Sequence, residues 1–186
     1  KCSAQSILFM HKNWEQDLVP RLIDLASKRK LKDLDIGPVL TWTNPQMREH
    51  IDALLKISGS KLLLGGKELT NHSIPSMYGS LEPTAIQIPL AAFLTDDFKK
   101  ITKEVFGPFQ IVVVYTDKEI GLVKDVLEKI TQNLTAAIVS NDAFFQQDLL
   151  ANTVNGTTYT GMKARTTGAP QNHWFGPSGD PRSAGI

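Results

Sequence analysis

The residues of this chain whose types could do chemistry are one thiol near its start and a carboxylate–ring pair far downstream. Cys2 sits in Lys1-Cys2-Ser3-Ala4-Gln5 and is the only cysteine. A thiol attacks as its thiolate, so a reactive cysteine needs access and surroundings that favour the anion. On its own, a single cysteine reads more readily as a small buried hydrophobe. The second group is Glu104-Val105-Phe106-Gly107-Pro108-Phe109. Gly107-Pro108 stops whatever precedes it and feeds the chain into an apolar run, which places Glu104 and Phe106 on a loop at a strand end. A carboxylate there can accept two hydroxyls of a sugar, and a ring can cover a flat heterocycle. Composition alone equally allows a surface glutamate and a core phenylalanine.

A third group lies in the tail, in Asn155-Gly156-Thr157-Thr158-Tyr159-Thr160 and His173-Trp174-Phe175-Gly176-Pro177-Ser178-Gly179-Asp180. Long segments without regular structure tend to be functional or disordered. Aromatic residues beside Gly and Ser suggest a pocket wall, and Gly-Ser-Gly-type backbone N–H groups can hold a carboxylate; a plain surface loop is the alternative. Nothing in the spacing pairs His173 with Cys2, and His11, His50 and His72 match no zinc-ligand spacing. No Gly-x-Gly-x-x-Gly follows a strand and no phosphate-binding Walker loop is present, so a nucleotide phosphate site must come from elsewhere.

The elements that must position these groups follow from periodicity. Residues 5–10 read as a buried strand, and residues 14–30 as a helix in which Pro20 is tolerable only near the first turns. The segment 35–40 reads as loop. Asn44 is expected to cap the next helix with Pro45 at its first position, and Ser58-Gly59 to end it. Strands are expected at 61–64 and 84–90, with a Gly65-Gly66 turn after the first. The β-branched run 110–115 should be central and buried on both faces. Residues 117–131 form an amphipathic helix, 136–139 a strand, and 141–151 a helix capped by Asn141 or Asp142. Thr153-Val154 leads into a small strand, with everything from Asn155 onward Gly-, Thr- and Pro-rich. Alternation of strand and helix across 110–154 predicts parallel strands with crossovers, hence a three-layer α/β/α sandwich with a mostly parallel sheet. Ligands in such folds are expected at the carboxyl ends of the strands.

The chain has 186 residues, 41% hydrophobic and 21% charged, enough for one domain with a full core. A net charge of +1 offers no long-range field for nucleic acid or a membrane surface, and neither is an expected partner. The cluster Lys28-Arg29-Lys30-Lys32 reads as the solvated end of a helix. A single cysteine excludes an internal disulfide and fits a reducing compartment. No apolar run reaches transmembrane length and no targeting segment is visible. The chain begins without Met and stops in a Gly-rich loop, so both ends are expected to be cut.

Together these motifs resemble the aldehyde dehydrogenase superfamily. The nucleophile motif Gly-Gln-x-Cys is represented by Lys1-Cys2, Glu-x-Phe-Gly-Pro is matched in full, and Asp35-Gly37-Pro38-Val39 resembles the Gly-Pro segment. Lys-Cys-Ser-Ala-Gln and His-Trp-Phe-Gly-Pro-Ser-Gly-Asp-Pro-Arg resemble the glutamate-γ-semialdehyde (Δ1-pyrroline-5-carboxylate) dehydrogenases, particularly the plant type; the tail departs from the usual Pro-Phe-Gly-Gly followed by Ser-Gly. The resemblance implies that residues 1–186 are a catalytic domain, with the cofactor-binding domain, the general base and an oxyanion-hole asparagine not in this chain. It implies Cys2 as catalytic nucleophile, Glu104 on the nicotinamide ribose of NAD and Phe106 near the nicotinamide. It further implies that Ser3, Pro177, Ser178 and Gly179 hold the substrate's α-carboxylate. A small-molecule aldehyde, a homo-oligomer and a mitochondrial matrix location in proline catabolism complete the expectation. By itself the chain should bind no NAD tightly and turn over nothing.

Two alternatives stand beside this reading. One is a relative acting on another small aldehyde. The other is a non-catalytic α/β interaction module, which predicts an unreactive Cys2 and has no reason to hold Glu104 and Phe106 together.

Overall fold

The computed structural model describes residues 2–33 and 35–167. They belong to two compact units, Ser6–Glu119 and a second formed by the residues up to Gln5 together with those from Ile120 on.

The first unit is built on a four-stranded sheet. Its strands are β1 (Ile7–His11), β2 (Lys61–Leu64), β3 (Thr84–Gln87) and β4 (Phe109–Tyr115), in the order β1-β4-β3-β2. β4 runs parallel to both β1 and β3, while β2 pairs antiparallel with β3, so the sheet is mixed with an antiparallel edge. The β-branched run predicted to be central is central: Val112 and Val113, which point to opposite faces, are both fully buried.

Helices cover both faces. On one, Leu18 and Val19 of α1 (Glu15–Ser27) pack with Met10, Ala85 and Val112. On the other, α2 (Asn44–Leu55) buries Met47, His50, Ile51 and Leu54, and Phe93 of a 3-10 turn (Leu90–Leu94) meets Phe9 at 6.0 Å between ring centroids. The short α3 (Phe98–Ile101) follows, its Phe98 edge-on to Phe93. The unit is thus a helix–sheet–helix sandwich.

Several local expectations change. Pro20 lies well inside α1 rather than in its first turn. It faces solvent, where water can satisfy the carbonyl that loses its N–H partner. The N-cap of α2 is Thr43, whose N–H and hydroxyl both donate to Gln46 Oε1 at 2.9 and 3.0 Å. Asn44 is released from capping: its side chain accepts from the Ser80 N–H at 2.7 Å and donates to Glu68 at 2.7 Å. The third strand ends at Gln87, because Pro89 caps the 3-10 turn.

In the second unit, α4 (Ile120–Lys129) packs on α5 (Ala143–Asn152), and Lys124 Nζ donates to both carboxylate oxygens of Asp148 at 3.0 and 3.1 Å. Asp142 caps α5, accepting from the N–H groups of Phe144 and Phe145. β5 (Thr135–Ile138) and β6 (Thr157–Thr160) pair in parallel as a separate two-stranded sheet. The parallel β5–α5–β6 arrangement follows the expected alternation of strand and helix. The small strand expected after Thr153-Val154 is Thr157–Thr160, its β-branched and aromatic residues suiting a pleated ladder.

The Gly65-Gly66 turn carries a stability prediction. Gly65 has φ +71°, and an added Cβ would press into the Pro83 carbonyl and to 2.7 Å from Thr84 Oγ1. A Gly65→Ala substitution therefore combines left-handed strain with overlap against backbone, and should cost about 3 kcal/mol. Urea unfolding of the intact protein checks it, as a lowered midpoint at unchanged slope.

Candidate active-site residues

Glu104 and Phe106 occupy the irregular segment between α3 and β4. Val105 is the inward anchor at 5% exposure, and the side chains on either side of it face outward. Phe106 is 43% exposed, which removes the core-phenylalanine alternative. Glu104 is exposed and makes no hydrogen bond or ion pair with the described residues. The turn is closed by Gly107 donating to the Val105 carbonyl at 2.8 Å and Phe109 donating to the Gly107 carbonyl at 2.7 Å. The Pro108 carbonyl accepts from the Thr84 N–H at 2.8 Å, which ties the segment to β3.

This segment precedes β4, so Glu104 and Phe106 stand at the amino end of that strand. The expectation of a site at the carboxyl ends of the strands does not apply to them. β1, parallel to β4, also presents its amino end here. Ser6 and Ile7 share with Lys103, Glu104, Phe109 and Ile111 the lining of a cavity of about 10 Å³, room for a single water and no more. Within this unit the residues that could meet a ligand form an exposed lip over a closed core.

The lip rests on the 35–50 segment. A Cβ added to Gly107 would lie 2.8 Å from Val39 Cγ2, so the Glu-x-Phe-Gly-Pro turn and the Asp35-Gly37-Pro38-Val39 loop are in direct contact. Val39 is 2% exposed and bridges Gly79 through paired backbone hydrogen bonds. Sequence reasoning singled out both motifs but not their contact. It also missed Trp42 and His50. His50, 8% exposed on α2, stands between Trp42 (5.5 Å) and Phe109 (5.8 Å), and Lys103 Nζ lies 4.7 Å from the Trp42 ring centroid. The signal available in the sequence was only an aromatic residue ahead of a capping box.

In the second unit, Cys2 is a free, exposed thiol. Ser3 is 1% exposed, so its hydroxyl is enclosed and not open to solvent. Pro177, Ser178 and Gly179, like His173, lie outside the described residues. Among the described residues no group of His, Cys, Asp and Glu could hold a metal ion, and no helix is long and apolar enough to cross a membrane.

An exposed carboxylate beside an exposed ring is chemically compatible with the nicotinamide–ribose half of a dinucleotide. The carboxylate has its acceptor positions free of described residues for a diol, and the ring offers an exposed face.

Comparison with known proteins agrees with these motifs. Residues 1–177 match the family model described as "Aldehyde dehydrogenase family". The whole chain is 60% identical over 189 residues to Arabidopsis thaliana delta-1-pyrroline-5-carboxylate dehydrogenase 12A1, mitochondrial, covering 34% of that protein. It is 57% identical over 188 residues to a probable aldehyde dehydrogenase of Linum usitatissimum, again over 100% of this chain and 34% of the relative. Among solved structures, aldehyde dehydrogenase 21 from Physcomitrella patens, in complex with the reaction product succinate, superposes with TM-score 0.72 at 18% identity. That superposition covers 95% of this chain and 34% of the other, and shows a shared fold. The chain therefore spans about a third of the length of the relatives it matches.

Proposed function

The chain belongs to the aldehyde dehydrogenase family, and from that premise we propose that it contributes the nucleophile and the nicotinamide-facing lip of an NAD-dependent dehydrogenase that oxidises glutamate γ-semialdehyde to glutamate. The observation that carries this reading is the outward-facing Glu104 and Phe106 around a buried Val105, in a chain 60% identical throughout to a pyrroline-carboxylate dehydrogenase. The relative's name also supports a mitochondrial location and a role in proline catabolism for the parent protein.

The proposed chemistry begins at Cys2. Its sulfur attacks the aldehyde carbon, a C–S bond forms, and the carbonyl π pair moves to oxygen. The Cys2 backbone N–H supplies one donor to that oxyanion. Collapse of the oxyanion expels hydride from carbon and leaves a thioester on Cys2. NAD, when bound, supplies the hydride acceptor. Glu104 would hold it through the ribose hydroxyls, and Phe106 would shield the nicotinamide from water. Water then attacks the thioester and Cys2 leaves as thiolate. The general base that the family places ahead of the cysteine would activate this water.

Recognition of the substrate carboxylate is assigned to the backbone and hydroxyl groups of Pro177, Ser178 and Gly179. Ser3, next to Cys2 and enclosed, is assigned to the same carboxylate. Substitution of Ser178 by Ala in the intact enzyme should raise KM about tenfold for glutamate semialdehyde and leave KM for propanal within twofold. Ser3→Ala tests whether the same selectivity extends to that hydroxyl. Equal effects on both substrates would remove the semialdehyde assignment and favour another small aldehyde.

A further inference from the structure

The Glu104–Phe106 lip is held at both of its flanks by a single cluster. Lys103, immediately before Glu104, places its ammonium over Trp42 at 4.7 Å from the ring centroid. The Trp42 ring meets that of His50 at 5.5 Å with a tilt of 51°, and His50 meets Phe109, the first residue of β4, at 5.8 Å with a tilt of 55°. The inner two members come from the 35–50 segment and the outer two from either end of the lip. The middle of the lip touches the same segment, through Gly107 against Val39. That segment is itself fixed, by the Val39–Gly79 bridge and by the Asn44 side chain on Ser80 and Glu68.

We propose that Trp42 and His50 are positioning residues for the cofactor lip, setting where Glu104 and Phe106 stand without themselves meeting NAD. The inference rests on the assignment of Glu104 and Phe106 to NAD. Ring contacts hold their partners in a restricted set of tilts, and a cation over a ring limits the flexible lysine stem. A carboxylate that must accept two hydroxyls at once loses affinity when displaced by a few tenths of an ångström to an ångström.

His50 gives this support a signature. Its Nε2 is buried with no hydrogen-bond partner. Burial first, then Lys103 of the lip and Lys100 of α3, hold its pKa below the usual 6.5. Trp42 and Phe109 on its other sides bring no charge. The imidazole is therefore neutral in the cluster. Because its folded pKa is lowered, its support is complete above about pH 6.5 and is lost as pH falls toward the folded value, when a second cation would form beside Lys103.

The test uses the full-length parent enzyme, with NAD dissociation measured by calorimetry and backbone amide exchange followed across residues 103–109. Trp42→Ala should weaken NAD about tenfold and speed exchange in the lip, with kcat at saturating NAD and KM for the aldehyde within twofold. Trp42→Phe should recover most of the loss. Combined with Glu104→Gln, the loss should fall well short of the product of the single effects, because both act through one carboxylate. NAD binding by the unaltered enzyme should weaken as pH falls through the lowered pKa of His50, below its ordinary 6.5, and His50→Phe should flatten that dependence. Multiplicative effects in the double variant, an equal rise in both KM values, or an unchanged pH dependence in His50→Phe would each overturn the proposal. If Trp42→Ala does not fold, the pH dependence of His50→Phe decides alone. Glu104→Gln that leaves NAD binding intact would overturn the cofactor reading itself. Glu104→Gln that weakens NAD while Trp42→Ala does not would overturn this inference alone.

Discussion

Replacing Cys2 by Ala in the intact parent enzyme should lower turnover of glutamate semialdehyde at least a thousandfold, to about the background of a site that binds without a nucleophile. NADH absorbance gives the rate, and calorimetry the NAD affinity, which should stay within twofold. Loss of turnover with retained NAD binding would identify Cys2 as the nucleophile. Robust turnover in the variant would make Cys2 structural and the thioester route wrong. An unaltered enzyme that binds NAD yet does not oxidise the semialdehyde would point to a different aldehyde.

Substitution of Glu104 by Ala should have the next largest effect. A carboxylate accepting two hydroxyls makes charge-assisted hydrogen bonds worth about 1.5–3 kcal/mol in total, so NAD affinity should fall about 10- to 100-fold. Folding should be unaffected, because Glu104 makes no hydrogen bond or ion pair with the described residues. Phe106→Ala should follow the same direction more weakly, through lost cover of the ring face. The effect should appear in KM for NAD before it appears in KM for the aldehyde. An unchanged KM for NAD in Glu104→Ala would leave the exposed pair without a role and favour the interaction-module reading.

Much of the fold was legible because it is local. The β-branched run of β4 announced a central strand, and Val112 and Val113 are fully buried there. The amphipathic stretch from Ile120 announced α4, and Asp142 before an apolar run announced its helix. Strand–helix alternation announced the parallel pairing of β5 with β6. What was not legible depended on occupancy. Asn44-Pro45 looked like a cap followed by a first-turn proline. Thr43 took the cap because Asn44 was drawn 36 positions away to Ser80.

The sequence by itself determined which groups could act and that the Gly-Pro turn would deliver Glu104 and Phe106 to the start of a strand, since both follow from residue type and from steric limits that operate over a few positions. Only the tertiary structure decided that this strand runs parallel to β1, that Phe106 faces outward around a buried Val105, and that Lys103, Trp42, His50 and Phe109 form one support. The physical reason is range. Periodicity and turn chemistry encode which face of an element is apolar, but what covers that face, and which side chains are left outside, is set by contacts between segments far apart in the chain.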